Sequence, residues 1–222
     1  MPTALIIGAS RGIGHEFVRQ LRGDGWKVFA TARDDAGLQA LHDLGAQALK
    51  LDVTKPESMA GLGWQLDGEK LDLAVYVAGV YGPRKQERNA PTVQDFDQVM
   101  HTNVLGAMQA IPMVAPMVEA AQGKFAFISS GMAGITEASS SYGWLYRASK
   151  AALNMVVKTA AFDYPGAVCV ALCPGWVRTD MGGENATISV EESVGGLLKV
   201  IGGLEAKDSG SFRNYVGKHL AW

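Results

Sequence analysis

Short apolar runs alternate with helix-length segments along almost the whole chain, and this alternation limits the possible folds more than any other feature. Thr3–Ile7, Lys27–Thr31, Ala48–Leu51, Leu71–Val77, Lys124–Ser129 and Val168–Leu172 are short and apolar. Between them, Ile13–Arg22, Asp35–Leu44, Pro56–Leu66, Val93–Glu119 and Tyr142–Asp163 carry apolar residues at helical spacing, and a further helix is expected near Val190–Ile201. Strands that are apolar on both faces are covered on both faces, and strands separated by helices pair in parallel. The expected fold class is α/β: a doubly wound parallel sheet with helices on both sides, built by residues 1–222 as a single domain. A chain of 222 residues supports one substantial core, not two. Pro112 and Pro116 are candidates for a kink within Val93–Glu119.

Charge and cysteine usage narrow the function classes. The net charge of −2 gives no basic excess for nucleic acid, and no apolar segment is long enough for a membrane span. The N-terminus enters a strand-like run without the pattern of a secretory signal, so a cytoplasmic location is expected. Cys169 and Cys173 share one expected strand. Four residues of strand span roughly 13 Å, too far for a disulfide. Two thiols are also too few for a structural zinc site, so no metal is expected and both read as core thiols.

The first turn, Gly8-Ala9-Ser10-Arg11-Gly12-Ile13-Gly14, directly follows the first strand and opens a helix. Glycines there permit a tight turn and close approach of the backbone to a pyrophosphate, while the helix N-terminus favours the anion. That is the physics of a dinucleotide site. The coenzyme is selected at the end of the second strand. The sequence there reads Thr31-Ala32-Arg33, and Arg11 projects toward the same region. Two guanidiniums near one phosphate argue for NADP(H) over NAD(H). Asp34 or Asp35 becomes the ribose acid of an NAD site if the strand ends elsewhere. Asp52 and Val53 close the third strand, where they would meet an adenine, while Thr54 also suits a helix N-cap ahead of Pro56. Ala78 and Gly79 close the fourth, small enough for backbone to lie against a ribose, or simply for the chain to reverse.

Tyr146 and Lys150 stand four positions apart in a glycine-free, alanine-rich run, so they share one helix face. An ammonium held against a phenol favours the phenolate, and the expected consequence is a Tyr146 pKa lowered from about 10. Alone, the same spacing also describes a half-buried tyrosine beside a solvated lysine.

Taken together, Gly8-x-x-x-Gly12-x-Gly14, Asp52, Ala78-Gly79, Asn103, Ser129-Ser130, Tyr146-x-x-x-Lys150 and Pro174-Gly175-x-Val177-x-Thr179 resemble the short-chain dehydrogenase/reductase family, from Thr3 almost to Trp222. Within it, Tyr146–Met155 and the ending near Tyr215-Val216-Gly217 are similar to the small C-factor-like and sniffer-like carbonyl reductases. The resemblance implies a Rossmann fold and an NADP-dependent oxidoreductase that reduces an aldehyde or ketone. It implies Tyr146 as general acid/base and Lys150 as the residue that tunes it and holds the nicotinamide ribose. Ser130 would hold the substrate oxygen, and Asn103 would kink its helix and position a water beside Lys150. Val177 and Thr179, following Pro174 and Gly175, would orient the carboxamide.

Two departures stand out. Ile7 replaces the usual Thr, whose hydroxyl supports the glycine turn, and Tyr76-Val77 replaces the usual Asn-Asn, whose amides tie strands together. A short lid, Asp180–Ala186, implies an open pocket for a small-molecule substrate. Met132, Trp144, Trp176 and Met181 line it or pack in the core. In the family that the chain resembles, the long helices pair across a twofold axis, which implies a homodimer or homotetramer. The alternative function is a dinucleotide-binding signalling protein of C-factor type in which turnover is secondary. An epimerase or dehydratase of nucleotide-sugars would need a larger region after Thr179.

Overall fold

The computed structural model describes residues 1–83 and 90–222. Its strands are β1 (Thr3–Ile7), β2 (Lys27–Ala32), β3 (Gln47–Lys50), β4 (Leu73–Tyr76), β5 (Lys124–Ile128), β6 (Val168–Cys173) and β7 (Ser211–Asn214). Its helices are α1 (Gly12–Gly23), α2 (Asp35–Asp43), α3 (Pro56–Gln65), α4 (Val93–Met100), α5 (Gly106–Glu119), α6 (Trp144–Asp163) and α7 (Val190–Gly202). All seven strands pair in parallel, in the order β3-β2-β1-β4-β5-β6-β7.

Successive strand side chains point to opposite faces, so one strand feeds two cores. Leu5, Ile7, Phe125 and Phe127 face a cluster completed by α3, α5 and α6, through Leu62, Val114 and Val157 among others. Ala4, Ile6, Val28 and Val170 face the opposite cluster, completed by α1, α2 and α7 through Phe17, Leu41 and Leu197. The doubly wound parallel sheet expected from the alternation, and the Rossmann fold implied by the resemblance, are present. Strand order reverses between β1 and β4, and the crevice above their carboxyl ends is where such sheets bind ligands.

Three local differences have physical causes. The run expected as one helix over Val93–Glu119 is α4, a π-helical turn at His101–Leu105, and α5, with Pro112 and Pro116 inside α5. The helix expected from Tyr142 begins at Trp144, because Gly143 takes a left-handed conformation with φ of 67°. β7 had no apolar run to announce it: Ser-Phe-Arg-Asn buries fully only Phe212 and pairs with β6 alone.

Candidate active site

A cleft of about 350 Å³ opens at the reversal of strand order, lined by the loops after β1, β2, β3, β4, β5 and β6. At its floor Gly8 turns with φ of 88°, and a Cβ there would lie 2.7 Å from the Ala78 Cα. Only glycine permits that approach of the β1 and β4 ends. Gly14 sits behind the turn, where a side chain would overlap the Gly8 carbonyl. The support missing at Ile7 comes from the neighbouring strand: the Gly8 N–H donates to Thr31 Oγ1 at 2.9 Å, and the Ala9 N–H to the Thr31 carbonyl at 2.8 Å. Ser10, Arg11, Gly12 and Ile13 line the cleft at the N-terminus of α1. Arg11, the N-cap residue, offers that helix no side-chain acceptor.

The acids near Arg33 are engaged elsewhere. Asp34 caps α2 by accepting from the Gly37 N–H at 2.8 Å, and Asp35 pairs with Lys50 at 3.0 Å. Neither lines the cleft, whereas the exposed Arg33 does. Arg11 reaches across the opening to Asp180 at 3.3 Å. Asp52 and Val53 line the same end. Burial works against the Asp52 carboxylate, but bonds from the Thr54 hydroxyl at 2.7 Å and backbone N–H at 3.0 Å hold its pKa below the usual value. Thr54 is therefore not the N-cap of α3; Lys55 holds that place.

Gly79, Tyr146 and Lys150 also line the cleft, with Pro174, while Ala78 lies against Gly8 and Thr179 against Gly12. Tyr146 and Lys150 are both buried on α6, at 8% and 3% exposure. The Lys150 ammonium donates to the Ile128 carbonyl at 2.8 Å and lies 5.7 Å from the centre of the Tyr146 ring. Ser130 accepts from the Met132 N–H at 3.1 Å, and its hydroxyl favours the Tyr146 phenolate. Asn103 is fully buried in the π-helical turn. Its Oδ1 accepts from the Val80 N–H at 2.8 Å, and its Nδ2 donates to the Val80 carbonyl and to Ser149 Oγ, each at 2.9 Å. A Cβ on Gly79 would lie 3.4 Å from both Asn103 Oδ1 and Lys150 Nζ.

The electrostatics reverse one expectation. Burial pushes the Tyr146 phenol well above its ordinary pKa, opposed by the Ser130 hydroxyl and reinforced by Cys173 and Tyr81. Tyr81 stacks on the Tyr146 ring at 4.5 Å. Burial also pulls the Lys150 ammonium down to about 8. The sequence argument weighed the attraction of the cation for a phenolate. In the fold that cation turns to a carbonyl, and the desolvation of both groups dominates.

Asn103, Ser130, Gly175 and Val177 stand beside the cleft instead of lining it. Val177 bridges to Ile188, and the loop after it folds on itself, with Trp176 Nε1 donating to the Gly182 carbonyl at 2.9 Å and Thr179 Oγ1 accepting from the Gly182 N–H at 3.0 Å. Trp144 and Trp176 are 51% and 53% exposed, so neither is core, and Met181 lines the cleft. Thr31, Val80 and Ile128 also line the cleft and were not expected from the sequence. Each lies at or just past the carboxyl end of a strand, and that position was the available signal.

The model of the short chain dehydrogenase family matches residues 2–188. The C-signal protein of Myxococcus xanthus is 37% identical over 58% of this chain and 79% of its own. The NADPH-bound carbonyl reductase from chicken fatty liver is 35% identical, with a TM-score of 0.91 over 100% of this chain and 99% of that one. The carbonyl reductase Sniffer of D. melanogaster is 28% identical, with a TM-score of 0.93 over the whole of both chains. A match to the family model over most of the length, joined to this fold, makes the chain a member of the short-chain dehydrogenase family.

Proposed function

We propose that this oxidoreductase reduces an aldehyde or ketone of moderate size to the alcohol with NADPH. The observation that carries the reading is that Tyr146 and Lys150 line the same cleft as the Gly8 turn, Arg11 and Arg33, with Ser130 beside it. The residues present fit the coenzyme. The glycine turn leaves room for a pyrophosphate, and two guanidiniums, those of Arg11 and Arg33, line the cleft that the extra phosphate of NADP would enter. Asp34 and Asp35, committed to Gly37 and Lys50, are not available as the ribose acid of an NAD site. The NADPH-bound state of the chicken reductase supports the same choice.

When bound, the coenzyme supplies the hydride. Gly8, Ser10, Gly12 and Ile13 hold its pyrophosphate, with Gly14 letting α1 close on the turn. Asp52 and Val53 hold the adenine, and Ala78 and Gly79 lie against the ribose. Lys150 holds the nicotinamide ribose hydroxyls. Pro174, Gly175, Val177 and Thr179 set the carboxamide. Ser130 holds the substrate oxygen, stabilising charge that develops there, and Tyr146 gives that oxygen its proton. Asn103 ties Val80 to α6 through Ser149, which keeps the loop after β4 beside Lys150.

An NADPH-oxidation screen over aromatic, aliphatic and quinone carbonyls tests this. Turnover with at least one class is expected, and coenzyme binding without any turnover overturns it. The likeness to C-signal favours a second reading, a dinucleotide-binding signalling role. Tyr146→Phe separates the two, since a pure binding role survives the loss of the phenol. Phe96, Met108, Met155 and Phe162 leave an apolar surface on α4, α5 and α6, which supports a homo-oligomer. Light scattering that finds only monomers of 23.5 kDa removes that idea.

A further inference from the structure

We propose that Tyr76 is a positioning residue: its phenol locks the π-helical turn that carries Asn103, and Gly106 exists to admit it. The inference rests on the reductive function above and extends it to residues outside the cleft. Tyr76 ends β4, is fully buried, and stacks on Phe127 at 6.2 Å. Its hydroxyl donates to the Thr102 carbonyl at 2.8 Å, a bond from the sheet to the helix layer.

The place of that bond is informative. In a regular helix the Gly106 N–H would donate to Thr102, four residues back. Here it donates to the His101 carbonyl, five back, so the Thr102 carbonyl loses its regular helical donor. The phenol of Tyr76 supplies one from the sheet, leaving this buried carbonyl satisfied. Asn103 lies inside this π-helical turn, a feature frequent at functional sites. Asn103 then fastens Val80 and Ser149, with its Oδ1 and the Lys150 ammonium both beside Gly79.

Gly106 completes the device. A Cβ at this position would overlap the Tyr76 hydroxyl and lie 3.0 Å from both Val53 Cβ and the Val53 carbonyl oxygen. The pair stands at a departure from the family pattern: where the Asn-Asn amides would tie strands, Tyr76 ties the sheet to the helix layer.

The test is Tyr76→Phe, Gly106→Ala and the double variant in the full chain. Turnover is followed with NADPH and phenanthrenequinone, and amide hydrogen exchange over residues 77–83 and 100–108. Tyr76→Phe keeps the ring and its stacking, so a folded protein is expected. In it kcat falls about tenfold and its pH profile shifts, while KM for NADPH stays within about twofold. Exchange quickens at Val80 and across the π-helical turn. Gly106→Ala alone costs more than it does in the Tyr76→Phe background, because the colliding oxygen is then gone. Wild-type kcat, pH profile and exchange in Tyr76→Phe overturn the proposal, as does a Gly106→Ala cost that is the same in both backgrounds. Should the wild type show no turnover, the reductive reading fails, while exchange alone still decides whether Tyr76 holds the turn.

Discussion

Lys150 donates its ammonium proton to the Ile128 carbonyl at 2.8 Å, while the Tyr146 ring it was expected to serve lies 5.7 Å away. An amine buried this way is a burden on the protein's own stability. Its pKa falls from 10.5 to about 8. Above 10.5 the amine is neutral in folded and unfolded chains alike. Between 10.5 and 8 only the unfolded chain holds the proton, so stability drops as the pH is lowered through that window. Below 8 both forms are charged and the cost is constant, roughly 3 kcal/mol. Lys150→Met is therefore expected to abolish turnover and stabilise the coenzyme-free protein by a few kcal/mol at neutral pH. Urea denaturation at pH 7 and above pH 10 checks this, with the gain shrinking at the higher pH.

Tyr146→Phe removes the proton donor and keeps the ring that packs on Tyr81. The expected loss in kcat is about a thousandfold, with NADPH affinity nearly unchanged. Single-turnover kinetics and a fluorescence titration of NADPH separate the two quantities.

Arg33→Ala is expected to weaken NADPH binding by about 10- to 100-fold and to leave NADH binding within about threefold, because only NADPH carries the extra phosphate. Asp180→Asn acts in the opposite sense. It releases Arg11 from a competing carboxylate, and NADPH binding tightens by up to about fivefold, the limit set by an exposed ion pair. Calorimetric titration of both coenzymes at one salt concentration measures each change.

Thr31→Val keeps the shape of a fully buried side chain and removes the acceptor of the Gly8 N–H. The expected cost is about 1–3 kcal/mol in folding, with weaker binding of either coenzyme because the turn loosens. Thermal unfolding with and without NADPH gives both values.

Much of the site was legible before any coordinates. The glycine turn, the Tyr146–Lys150 pair, and the ends of β1, β2 and β4 follow from spacing and periodicity, which are local properties. What escaped was non-local. The Thr31 hydroxyl replaces the one absent from Ile7, but nothing near either residue announces that β2 lies beside the turn. Nor could Tyr76 be paired with Thr102 and Gly106 until the sheet and the helix layer were brought together. The reversal at Tyr146 has a different origin. Charge attraction can be argued from two residues, whereas desolvation depends on everything packed around them. β7 stayed hidden because a four-residue edge strand with one buried side chain carries no pattern.

The sheet order has a kinetic consequence. β1 finds its partner β4 only after two intervening strands and three helices have been made, with Ala4 opposite Leu73. No hairpin shortens that search, so folding is expected to be slow, on the order of milliseconds to seconds. The seam between β1 and β4 is also where Gly8 meets Ala78, so a partly assembled chain has no place to receive the coenzyme. Added NADPH should therefore slow unfolding and leave the refolding rate almost unchanged.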